Sequence, residues 1–154
     1  MRIRHMMHDN PAVVGPEVSF ATLLLAYRDM DSRLVYVTAP DRRLMGVVSS
    51  YDLLRVMLPF YLDSNLAKAL SDDDETLVRQ SCLACQALSA ADIMTRTFVS
   101  IGPDDTFLEA EALIAERGVN VLPVLDADGR LVGEMTRRRI LKYLAGHCGL
   151  DNEA

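Results

Sequence analysis

The chain repeats itself. Residues separated by 87 positions agree where they govern chain direction: Gly15-Pro16 with Gly102-Pro103, Gly46 with Gly133, Asp41 with Asp128, and Arg43-Leu44 with Arg130-Leu131. Apolar positions obey the same offset, pairing Met7 with Met94, Phe20 with Phe107, Val37 with Val124 and Leu54 with Leu141. From His5 to Val56 the correspondence needs no gap. A fixed period of this kind marks a duplicated structural unit. One unit of about 55 residues buries too little apolar surface to be comfortable alone. The two copies are therefore expected to pack face to face about a pseudo-twofold axis, leaving two related clefts.

Each copy reads as β-α-β-β-α. A short strand (Ala12 to Val14, Phe98 to Ile101) meets a Gly-Pro turn. A helix then starts near Ser19 or Thr106, where Thr106 and Glu109 have the spacing of a capping box. Helical periodicity follows at Leu23, Ala26, Tyr27 and Met30, and at Ala110, Leu113, Ile114 and Arg117, with Gly118 as a stop. Two strands come next, LVYVT and LMGVV in one copy, VLPVL and LVGEM in the other, joined by turns at APDRR and DADGR. A last helix begins after Ser49 or Thr136. The fold class is α+β.

The expected organisation is a first repeat over 1–58, a helical linker over 59–91, a second repeat over 92–146 and a tail over 147–154. In the linker, SDDDETLVRQSCLACQALS reads as a helix with its acidic residues at the favourable end. Its apolar face would carry Leu77, Val78, Cys82, Cys85 and Leu88.

Composition excludes several roles. Acidic residues outnumber basic ones 22 to 16, which disfavours a general nucleic-acid role. No apolar run reaches the roughly 18–20 residues of a membrane span, and MRIRHMMHDN lacks the apolar stretch of a signal peptide. Three cysteines make no disulfide framework, so a reducing cytoplasm is expected.

The chemistry concentrates in GVVSSYD, Gly46 to Asp52. A carboxylate one turn into a helix can accept from both hydroxyls of a ribose. Ser49 at the cap, with the free N–H groups behind it, can face a phosphate. The same pair also serves as plain helix capping without any ligand.

Together, the repeated β-α-β-β-α order, the Pro-Val strand at Val121-Leu122-Pro123-Val124 and the G-h-h-[ST]-x-x-D motif resemble a tandem CBS-domain pair, or Bateman module. The resemblance implies a regulatory, non-catalytic module without a metal or other cofactor that binds an adenosine nucleotide such as AMP, ADP or ATP, with S-adenosylmethionine in the same ligand class. By position it implies Asp52 at the ribose with Val47 and Tyr51 beside it, and adenine against Phe98 and Val99. Arg33, Asn120 and Val121 would stand toward the phosphates. It also implies a homodimer and an unknown regulated partner.

The second copy departs from this pattern at LVGEMTRRRIL. Thr136 keeps the hydroxyl, but Arg139 replaces the aspartate, so that cleft loses its ribose anchor. Arg137, Arg138 and Arg139 also open a helix at its partially positive end, where each cation costs about 0.3–1 kcal/mol. In modules resembling the gamma subunit of AMP-activated protein kinase, such a motif lends a basic residue to the neighbouring site. Arg138, together with Arg137, would then meet the phosphates of a nucleotide whose ribose sits on Asp52. The bland alternative leaves all three arginines in water.

Two other functions remain open. One is a ligand-independent dimerisation or interaction module. The other is a redox-linked regulator acting through the C-x-x-C at Cys82 and Cys85, although cysteines on the apolar face of a helix read more simply as small hydrophobes. His5 and His8 do not complete a metal site, and Asp72 to Glu75 read as a solvated helix start. No P-loop, HExxH or Ser/His/Asp set points to catalysis.

Overall fold

The computed structural model describes residues 1–29, 34–58, 62–70 and 74–150. Met30, Arg33, Pro59, Asp72, Asp73 and the last four residues, to which the sequence assigned roles or boundaries, lie outside these ranges. A 3-10 turn (Ile3–His5) precedes β1 (Val13–Val14), α1 (Phe20–Asp29), β2 (Leu34–Thr38), β3 (Leu44–Ser49) and α2 (Ser50–Met57). The linker carries α3 (Ser64–Ala69), α4 (Asp74–Cys85) and α5 (Ala90–Ile93). The second copy follows with α6 (Phe107–Arg117), β4 (Val121–Leu125), β5 (Leu131–Thr136) and α7 (Arg137–His147).

Local chemistry sets these boundaries. Ser49, Ser89 and Thr106 each open a helix with a reciprocal capping box, their partners being Asp52, Asp92 and Glu109. Gly118 closes α6 in the left-handed region, φ 63°. In each copy the two long strands pair antiparallel, and a register shift falls at the same place, Val37/Thr38 and Val124/Leu125. β1 adds to β2 in parallel, and Ile101 bridges Val124 in the corresponding way. Among the described residues the mixed α+β architecture matches the two-unit expectation.

The repeat returns as reciprocal hydrogen bonds. Leu44 N–H donates to Gly129 O (3.1 Å) and Leu131 N–H to Arg42 O (2.9 Å), tying the two hairpin turns together across the pseudo-twofold axis. Between the sheets lies an apolar layer of Tyr36, Val47, Val121 and Leu131, with Phe98 and Leu34 packed against it.

Each copy also borrows the other's lead-in segment. Ile3 is fully buried among Phe107, Ile114, Leu122 and Met135 of the second copy. Reciprocally, Cys85, Ala90 and Met94 pack among Phe20, Leu23 and Val48 of the first. The exchange is backed by mutual backbone bonds, Val47 with Thr95 (3.0 and 2.8 Å) and Glu134 with His8 (2.8 and 2.9 Å). It explains the repeated glycine. A Cβ on Gly133 would stand 2.7 Å from the His8 carbonyl, and one on Gly46 would stand 2.7 Å from the Met94 sulfur. Only a bare backbone admits the crossing segment at that distance.

The linker helix forms over Asp74–Cys85, with Leu77, Cys82 and Leu88 half-buried and Cys85 buried. Val78, expected on the buried apolar face, is 56% exposed. Position 78 faces nearly the same side as Cys85, seven residues on, so its exposure reflects its place two turns nearer the helix start and not its side-chain direction. Among the described residues no helix is long and apolar enough to cross a membrane.

Candidate functional site

A cleft of about 690 Å³ opens between the two copies. The first copy supplies Leu34, Val47 and Leu54, together with the strand-to-helix corner Ser49, Ser50 and Tyr51. The second copy supplies the opposite wall: Thr97, Phe98 and Val99 from an extended segment in which the strand expected over Phe98 to Ile101 is reduced to the single bridge at Ile101, then Gly118 to Val121 and Pro123. Neither copy alone makes this space. Its volume lies in the range of small-molecule sites, about 300–1,000 Å³.

Both walls mix apolar and aromatic side chains with polar ones: Tyr51 with the hydroxyls of Ser49 and Ser50 on one, Phe98 with the Thr97 hydroxyl and the Asn120 amide on the other. Ser49 caps α2. Its Oγ accepts from Asp52 N–H (3.2 Å), while Ser49 N–H donates to Asp52 Oδ2 (2.8 Å). That corner brings the start of α2, with its partial positive charge, to the edge of the cleft.

Seven residues expected at the ligand come together here: Val47, Ser49, Tyr51, Phe98, Val99, Asn120 and Val121. Asp52 does not line the cleft. It lies one turn on, in a shallower groove with Arg55, Asp92 and Thr95. Its carboxylate already accepts from Ser49 N–H, Ser49 Oγ and Thr95 Oγ1, the last at 3.2 Å. A carboxylate offers about four acceptor positions, so a ribose gripped by both hydroxyls would compete with Thr95. Sequence reasoning passed over Thr95, Ser50 and Thr97. The repeat pairs Thr95 with His8, but only the exchange of lead-in segments brings it against Asp52.

The arginines diverge. Arg137 stays beside the cleft, its backbone N–H donating to Asn120 O at 2.8 Å. Arg138 instead lines a separate groove along α7, with Arg139, Lys142 and His147. Arg139 is anchored there, its guanidinium donating to the Met6 carbonyl at 2.9 Å. Thr136 caps α7 by accepting from Arg139 N–H (3.1 Å), the bond a capping box needs, but without an acidic partner.

At the equivalent positions of the second cleft the side chains are larger. Tyr36 stands where Pro123 stands in the first cleft and is fully buried, and Glu134 stands where Val47 does. Elsewhere, the Cys85 thiol donates to Val56 O at 3.4 Å, and burial pushes its pKa up, so it makes a poor thiolate. Among the described residues no group of three or more His, Cys, Asp or Glu is placed to hold a metal.

The model of the CBS domain matches this chain twice, over residues 3–59 and 90–146. The chain belongs to the CBS-domain family. The pair is 25% identical, over 94% of this chain and 91% of the relative, to an uncharacterized protein, MJ1426, of Methanocaldococcus jannaschii. Among solved structures the pair superposes on CBSX2 in complex with AMP, with TM-score 0.72 and 23% identity over 96% of this chain and 98% of that one. It also superposes on the CBS domain pair of MJ0100 in complex with 5′-methylthioadenosine and S-adenosyl-L-methionine, with TM-score 0.68 and 16% identity over 96% and 98%. These similarities establish a shared fold.

Proposed function

We propose that this CBS pair is a regulatory ligand-sensing module whose cleft takes one adenosine nucleotide of the AMP, ADP or ATP class. The observation that carries this reading is that both copies build the cleft. A ligand touching both walls favours one relative arrangement of the two units, and that preference is what a partner protein would read. Phe98 and Val99 offer an aromatic and apolar slot for the base. Ser49, Ser50 and the start of α2 face the first phosphate, and Asp52 takes a ribose hydroxyl in exchange for Thr95. Arg137 is the cation assigned to the phosphate end. The AMP held by CBSX2 and the adenosine compounds held by the MJ0100 pair belong to the ligand class this cleft suits.

Calorimetric titration with AMP, ADP, ATP and S-adenosylmethionine tests the reading. Saturable binding with one site per chain, weakened at least tenfold by Phe98→Ala and by Asp52→Ala, is the expected result. Absence of binding by every adenosine compound to the unaltered chain would sink it. Thr95→Val refines the ribose assignment. Freeing one oxygen of Asp52 should tighten adenosine binding, and an unchanged affinity would remove Asp52 from the site.

A homodimer belongs to the same proposal. Leu54 and Leu141 occupy equivalent positions on α2 and α7 and are 61% and 59% exposed, an apolar pair suited to a second copy. Ligand-independent association through these helices is the competing reading. Self-association unaffected by any adenosine compound would favour it.

A further inference from the structure

We infer that the groove along α7 is a second, separate binding site for a small multivalent phosphate anion. The groove encloses about 840 Å³ and is lined by Arg138, Arg139, Lys142 and His147 along three successive turns, with Met6 forming the facing wall. α7 carries Arg137, Arg138, Arg139 and Lys142, four of the sixteen lysines and arginines in a chain whose net charge is −6. The concentration is therefore local and runs against the overall balance. Arg138 and Lys142, one turn apart, repel each other. Among the described residues neither Arg138, Arg139 nor Lys142 has a carboxylate partner. A phosphate-bearing anion between them converts that repulsion into charge-assisted hydrogen bonds.

The side chains, not the helix terminus, make this site. At the start of α7 the N–H of Arg137 is given to Asn120 O and that of Arg139 to Thr136 Oγ1. Arg139 is held in place by the Met6 carbonyl, which fixes the remainder of its guanidinium against the groove. Arg138 and Lys142 supply a fork and a point charge beside it.

The geometry also selects against larger or aromatic guests. Tyr143 and His147, both on α7, are the aromatic side chains of the groove, and they pack against each other (centroids 4.0 Å), with Tyr143 also against Phe107 (4.5 Å). The facing wall is Met6, so no second ring closes on a nucleobase from across the groove. Arg138, Arg139 and Lys142 fall within about 6 Å along the axis of α7, a span that suits two or three linked phosphates better than a protein segment or a nucleic acid. The recognised chemistry is thus an oligophosphate, free or as part of an organic molecule.

The test is titration of the whole chain with sodium tripolyphosphate, with sodium sulfate at matched ionic strength as control. Tripolyphosphate should bind one per chain, with affinity falling as salt rises. The double substitution Arg138→Gln, Lys142→Gln should weaken it at least tenfold, while Arg117→Gln on α6 leaves it unchanged. Circular dichroism of the double variant checks that the fold persists. Phe98→Ala should leave tripolyphosphate binding intact, so this site and the adenosine cleft fail separately. ATP, titrated against Phe98→Ala, should bind no more tightly than tripolyphosphate. Overturning results are an equal effect of sulfate, unchanged binding in the double variant, loss of binding in Phe98→Ala, ATP preferred over tripolyphosphate, or tighter capture of an oligoglutamate peptide.

Discussion

Tyr36 donates its phenolic O–H to Oε2 of Glu134 across 2.7 Å, joining β2 of one copy to β5 of the other inside the protein. The repeat makes these residues the counterparts of Pro123 and Val47, both of which line the open cleft. The two copies thus use the same pair of positions in opposite ways, one to leave space and one to fill it. Desolvation pushes the Tyr36 phenol far above its ordinary range, with the Glu134 charge as the next cause, so it remains a donor at any pH the fold tolerates. Tyr36→Phe removes the donor and leaves a buried carboxylate oxygen unpaired. The expected cost is about 1–3 kcal/mol, read by urea unfolding. Glu134→Gln, which keeps an acceptor for the phenol, should cost less.

The exchange of lead-in segments gives a second prediction. Ala at position 133 would press its methyl against the His8 backbone carbonyl, which cannot move without breaking its pairing with β5. At position 46 the nearest atom is the end of the flexible Met94 side chain, with the Thr95 carbonyl at 3.0 Å. Both substitutions should destabilise by roughly 1–3 kcal/mol, Gly133→Ala more than Gly46→Ala. Equal stability of the two variants in chemical denaturation would contradict the structural asymmetry.

What the sequence disclosed follows from which interactions are local. Capping at Ser49 and Thr106, the stop at Gly118 and the strand pairs with their turns depend on residues a few positions apart, and all were legible. Val47, Ser49, Tyr51, Phe98, Val99, Asn120 and Val121 share one cleft because the repeat fixed their register. The contact of Ile3 with Phe107 was not legible, since a duplicated pattern does not say which copy a lead-in segment enters. The same non-local crossing hid Thr95 from view as a competitor for Asp52. Arg138 was misdirected for a different reason. Successive residues on a helix point about 100° apart, so Arg137 stays by the cleft while its neighbour faces the other groove.

Acid should unfold this protein partly through its capping boxes. Hydrogen bonds from Ser89 to Asp92 and from Thr106 to Glu109 hold both carboxylates below their ordinary values. A depressed folded-state pKa means stabilisation that is fully present above the unfolded carboxylate range and is lost as pH falls through the folded value. Glu109→Gln, which removes the charge at every pH, should therefore lower the melting temperature at neutral pH by a few degrees, with the difference from the unaltered chain shrinking in acid. A gap that stays constant down to acid pH would show that the box contributes no charge-dependent stability.

The first arginine of α7 offers the sharpest separation of stability from function. Arg137 is exposed at the first position of the helix, with its side chain free of any carboxylate among the described residues. It lies at the unfavourable end of the dipole, and its backbone is fixed beside the cleft by Asn120. Arg137→Glu removes a misplaced cation and adds a well-placed anion, so the fold should gain about 0.3–1 kcal/mol for each change. A purely structural surface residue would do no more than that. If Arg137 serves the phosphate end of the cleft, the same substitution weakens AMP binding at least tenfold while leaving adenosine binding nearly unchanged. Thermal unfolding and paired titrations with AMP and adenosine on one preparation read both effects. A variant that gains stability and still prefers AMP over adenosine would return Arg137 to the solvent, and with it the answer that its charge is merely tolerated there.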